Sequence, residues 1–98
     1  VDFREPEETQ RLQIWKHSFP DSAPTEDLDI SWLAKQFRVT GGNIRNAATT
    51  AAFLAASEGR SITMDDIARG LDREYEKLGR LRTESDFGAY YRVVTEEN

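Results

Sequence analysis

Few side chains in this sequence are placed to carry chemistry. Acid pairs, Glu7-Glu8, Asp65-Asp66 and Glu96-Glu97 among them, offer the adjacent carboxylates that general acid–base catalysis uses. The first two fall in the first turns of expected helices, where negative charge answers the helix dipole, and the third falls at the chain's end. His17 is the single histidine, near the end of an expected helix, where a cation suits the dipole. One histidine and no cysteine leave no histidine-rich metal site, thiolate site or thiol nucleophile. Neither a G-x-x-x-x-G-K-S/T phosphate loop nor a G-x-G-x-x-G turn is present. No catalytic or metal-ligating residue is therefore assigned. What remains is Gly41-Gly42 with Asn43 and Arg45, where paired glycines break a helix and let the backbone turn or be approached closely.

The elements that must position this turn read as helices throughout. Pro6 suits a first helical turn, and Leu12, Trp15 and Phe19 recur at helical spacing before Pro20 ends the run. Pro20 to Asp29 holds two prolines and four acids and reads as a loop. Asp29 is a good N-cap for a second helix bearing Ile30, Leu33, Ala34 and Phe37. The third helix carries Ile44, Ala48, Ala51, Ala52 and Ala55 on one face and is expected at the centre, with Gly59 closing it. Thr63 and Asp66 have capping-box spacing for a fourth helix with Ile67, Leu71, Tyr75 and Leu78, closed by Gly79. The expectation is an all-α, four-helix bundle over residues 6–80, a short linker end at 1–5 and an aromatic C-terminal tail at 81–98. Phe87, Tyr90 and Tyr91 make that tail too apolar to stand in solvent; it docks either on a neighbour or on the fourth helix.

Composition bounds the rest. With 98 residues there is one domain. A net charge of −5 argues against a sequence-blind nucleic-acid binder, and no apolar run approaches the roughly 20 residues of a bilayer span. The start at Val1, without a signal peptide, suggests a piece of something longer.

Several segments, in order, resemble the small C-terminal lid domain of AAA ATPases. Val1-Asp2-Phe3 with Pro6-Glu7-Glu8 and Arg11-Leu12-Gln13-Ile14 is similar to the junction where the ATPase core enters its lid. Thr40-Gly41-Gly42-Asn43-Ile44-Arg45 resembles the family's second-sensor segment. Ala51-Ala52-Phe53-Leu54-Ala55-Ala56 and the Ile62 to Ile67 step resemble the two helices that follow. The Gly-Gly-Asn-Ile-Arg-Asn and Asp-Phe-Gly-x-Tyr-Tyr segments also look like bacterial AAA ATPases of phage-tail-like contractile injection systems.

The resemblance implies ATP or ADP as ligand, with Mg²⁺ held by a core domain outside this chain. It implies a cytoplasmic protein of hexameric rings, in which the lid contacts its own core and the next subunit while the whole acts on a protein substrate. No nucleic acid or membrane partner is implied. Residue by residue, Ile14 falls where an aliphatic side chain packs on adenine. Ser18 falls where some members place a histidine near the base, with His17 one residue off. Gly41 and Gly42 fall on the pair that lies against the nucleotide. Gly42 occupies the place of the arginine that wider AAA+ members use, as in the classical branch; Arg45 is the alternative sensor, or a partner of a neighbouring subunit or of an acid in the core domain.

Two other readings stand beside this one. The chain suits a stand-alone acidic helical interaction module. Leu33 to Thr40 followed by Ile44-Arg45 also resembles a helix-turn-helix DNA reader, although the alanine-rich face that follows is poor at reading base edges.

Overall fold

The computed structural model describes residues 5–20, 23–25 and 27–95. Among them the secondary structure is wholly helical: four longer helices, then two short ones joined by a 3₁₀ turn. The expected junction at Val1 to Arg4 lies outside the described residues.

Helix α1 spans Glu8–His17, with Glu8 in its first turn and Lys16 and His17 in its last, all favourable to the dipole. Pro6 lies before the helix rather than in it. The Glu7 N–H is taken by the Gln10 side-chain carbonyl at 2.8 Å, which sets the start. Trp15 is wholly buried, and its indole N–H has no hydrogen-bond partner among the described residues. Arg11 is also buried. Its Nε donates to the Ala34 carbonyl and its Nη1 to the Pro6 carbonyl, both at 2.7 Å. It thereby satisfies a carbonyl left open at the end of the next helix.

That helix, α2, spans Ile30–Gln36 and is capped as expected, the Asp29 carboxylate accepting from the Trp32 N–H at 3.1 Å. It ends earlier than the glycine pair. Phe37 is already extended, and Phe37 and Val39 are buried. Gly41 and Gly42 do not break a helix; they are the first two residues of α3, Gly41–Ser57, and neither has a left-handed φ. The reason is Thr40, whose hydroxyl accepts from the Asn43 N–H at 3.1 Å while the Asn43 side chain accepts from the Thr40 N–H at 3.2 Å. A reciprocal cap of this kind fixes the first turn whatever residues lie between.

Helix α4 spans Met64–Leu78 and makes with α3 the largest helix–helix contact. The central position expected for the alanine-rich helix is observed, with Ala47, Ala48, Ala51 and Ala55 buried. Facing Ala47 is Gly70, where a Cβ would stand 2.6 Å from the Ala47 carbonyl oxygen. The two backbones meet because neither side brings a large side chain. Gly59 and Gly79 close α3 and α4 in the left-handed conformation. Leu78, expected on the buried stripe, is half exposed because α4 ends there.

The tail folds back on its own chain. α5 (Glu84–Phe87), the 3₁₀ turn Gly88–Tyr90 and α6 (Tyr91–Thr95) return along α4. Phe87 is fully buried, edge-on to Phe37 and Tyr75 at ring separations of 5.1 and 5.2 Å. Tyr90 meets Trp32 at 5.4 Å. Gly88 has φ +54°, a conformation that favours glycine, and a Cβ there would lie 3.1 Å from the Trp32 ring, a tight contact. Arg82 pairs with Asp72 at 3.1 Å and donates to the Val94 carbonyl, tying α6 down.

Candidate functional site

A cleft of about 250 Å³ opens between the second half of α1 and the first turns of α3, lined by Gln13, Ile14, His17, Ser18 and Arg45. Gly41 adjoins two of these side chains: a Cβ there would lie 3.3 Å from both the Ile14 Cδ1 and the Arg45 Nη1. Four of the five residues singled out in the sequence therefore converge. Gly42 stands aside, since a Cβ on it would meet only the Thr40 hydroxyl, at 3.7 Å.

Each wall has a local cause. Ile14 lies off the buried Trp15 face of α1 and is half buried. The Ser18 hydroxyl donates to the Ile14 carbonyl at 2.5 Å and so caps its own helix while facing the cleft. The His17 Nδ1–H likewise donates to the Gln13 carbonyl at 2.8 Å. Arg45 is exposed and has no ion pair among the described residues. The Gly41 and Gly42 N–H groups, at the positive end of a 17-residue helix, also carry no hydrogen bond among the described residues. The cleft thus joins an apolar side chain, a guanidinium and a helix N-terminus.

This first turn is held from behind by a residue the sequence reading passed over. Glu74 on α4 is almost fully buried, and its Oε1 accepts from the amides of Asn43 at 3.0 Å and Asn46 at 3.2 Å. Its Oε2 accepts from the Lys77 ammonium at 2.8 Å. Burial alone would raise its pKa, but the Lys77, Asn43 and Asn46 hydrogen bonds outweigh it and hold the carboxyl below its ordinary value. The signal was present: Glu74 lies three residues after Leu71, on the stripe that buries Ile67 and Leu71. A second buried acid, Asp66, is gripped by both Arg60 nitrogens at 2.6 and 2.9 Å and by the Thr63 N–H at 2.9 Å. There too burial pushes upward and the Arg60 and Thr63 bonds prevail, leaving the pKa lowered. Asp66 fixes the turn between α3 and α4, as its capping-box spacing implied.

Helix α3 turns Ala47, Ala48 and Ala51 into the core, and the Asn43 and Asn46 amides are engaged by Glu74. Of the polar residues that a DNA-reading helix would present, Asn43 and Asn46 are tied to Glu74 of α4, while Arg45 is exposed. Among the described residues no group of three or more His, Cys, Asp or Glu could hold a metal, and no helix is long and apolar enough to cross a membrane.

The fold is that of a small helical domain with an open cleft at the start of α3. Residues 7–81 match the family described as the contractile injection system ATPase helical domain, and the chain belongs to that family. It is an ATPase-associated helical domain. No curated protein and no solved structure matches it.

Proposed function

We propose that this domain is the C-terminal lid of an AAA-type ATPase, closing over ATP bound to a core domain of the same protein. The observation that carries the reading is the convergence of Ile14, Ser18, Gly41 and Arg45 on one cleft at the start of α3. Complete small-molecule sites run to roughly 300–1,000 Å³, so a cleft of about 250 Å³ suits one wall of a shared site.

The residues present fit a purine nucleotide. The Ile14 side chain supplies an apolar surface for a base, and the positive end of α3 with Arg45 favours an anion. Gly41 keeps the backbone within reach, since any larger residue would stand between Ile14 and Arg45. ATP supplies the phosphoanhydride whose cleavage drives motion; this chain's residues bind and orient. The lid shifts the balance between open and closed arrangements only through contacts that differ between them. In this reading the motion passes to neighbouring subunits of a homo-hexamer that remodels a protein substrate, in the cytoplasm of a bacterium.

The test uses the complete gene product and a fluorescent ADP analogue. Ile14→Thr and Arg45→Ala are expected to weaken binding about tenfold each, equivalent to about 1.4 kcal/mol, with the melting temperature of the 98-residue chain unchanged for Arg45→Ala, whose side chain is exposed and forms no ion pair among the described residues. The isolated chain is expected to hydrolyse no ATP. Unchanged nucleotide affinity in both variants would overturn the lid reading and leave a helical interaction module.

A further inference from the structure

The face of the domain formed by the end of α2, the end of α4 and the start of α5 carries a second, polar cleft of about 360 Å³. It shares no lining residue with the Ile14–Arg45 cleft. Lys35, Arg38 and Arg80 line it, in a chain whose net charge is −5. Its one lining carboxylate, Asp86, accepts from the Tyr75 hydroxyl at 3.0 Å and forms no ion pair with any of the three cations. None of them has an ion pair elsewhere among the described residues. Three cations thus share the cleft with a single carboxylate, an excess of positive charge, and Arg80 is held in place. Its guanidinium lies 5.0 Å from the Tyr75 ring centre and its Nη1 donates to the Arg38 carbonyl at 2.9 Å. Nη1 is the one Arg80 donor that is engaged among the described residues, and Arg38, Lys35 and Ser85 line the same cleft.

We infer that this cleft binds a compact, multiply charged phosphate group carried by a small molecule. Two arginines, a lysine and a serine line it, residue types whose donors suit phosphate oxygens, and the volume lies within the range of roughly 300–1,000 Å³ typical of small-molecule sites. The inference is independent of the lid reading.

The test is an amide-resolved NMR titration of the chain with inorganic pyrophosphate, with citrate as the carboxylate control. Saturable shifts confined to residues 35–38, 80 and 85–86 are expected, with citrate binding at least about tenfold more weakly. The double variant Lys35→Gln, Arg38→Gln removes side chains that make no hydrogen bond or ion pair among the described residues. It should melt like the parent and lose about tenfold or more in pyrophosphate affinity. Shifts that do not saturate, that spread over the surface, that centre on Ile14 and Arg45, or that survive in the double variant would overturn the site. Citrate binding as well as or better than pyrophosphate would overturn the phosphate assignment.

Discussion

The Asn43 amide reaches from the first turn of α3 to the buried Glu74 of α4, a hydrogen bond of 3.0 Å spanning 31 residues of sequence. Asn43 also closes the reciprocal cap with Thr40, so one side chain sets both where α3 begins and how its start sits on α4. Gly41, two residues before it, thereby takes its position beside Ile14 and Arg45.

This arrangement makes stability depend on acid. Glu74 and Asp66 both have carboxyl pKa values held below ordinary. A depressed folded-state value stabilises the fold above the unfolded pKa, about 4, and that stabilisation is lost as pH falls through the lower folded value. The melting temperature should be level from about pH 7 to 5 and fall steeply below about pH 4. Asp66→Asn should melt lower at neutral pH and show a flatter acid limb. Thermal scans across pH by circular dichroism check this.

Gly70 is the tightest point of the helix pair. A Cβ there meets backbone atoms of Ala47, at 2.6 Å from the oxygen and 3.0 Å from the Cα, and backbone cannot swing aside. Gly70→Ala should therefore destabilise despite the better helix propensity of alanine, by about 2 kcal/mol or roughly 10 °C of melting temperature. Denaturant and thermal unfolding measure the difference.

Gly41 gives the opposite pattern. A Cβ there meets only the mobile ends of Arg45 and Ile14, and Gly41 already has ordinary helical backbone angles. Gly41→Ala should leave the melting temperature unchanged or raise it slightly, while narrowing the cleft. In the complete protein it should weaken nucleotide binding several-fold. A variant that melts lower than the parent would show that the glycine serves the fold instead.

The tail contributes to the core through Phe87. Removing its ring from between Phe37 and Tyr75 should cost about 3–5 kcal/mol. Phe87→Ala should unfold at markedly lower denaturant than the parent, whereas Ala89→Ser, at an exposed position of the same segment, should not.

The helices were legible because their ends are chemically marked. Asp29, Thr63, Gly59 and Gly79 each do what their residue types imply. The glycine pair does mark a helix boundary, but it lies inside the first turn of α3 rather than in the break, because the cap formed by Thr40 and Asn43 on either side overrides glycine's poor helix propensity. The tail's aromatic content was plain, but where it docks depends on Trp32, Phe37 and Tyr75, residues distant in sequence that only the fold brings together. The same holds for the cleft. Ile14 and Gly41 lie on different helices, and no spacing rule predicts that they meet; the resemblance pointed to both. Glu74 escaped notice because a charged residue on an apolar stripe reads as a stripe's edge until its three partners are seen.

The two tryptophans divide the molecule optically. Trp15 lies wholly inside the core, its indole N–H without a partner among the described residues, so its emission should be blue-shifted and insensitive to aqueous quenchers. Trp32 is partly open, edge-on to Tyr90 and pressed against Gly88, so its signal follows the attachment of residues 84–95. Unlabelled protein therefore carries one fluorophore for the integrity of its interior and another for the seating of its C-terminal segment, readable separately by selective quenching.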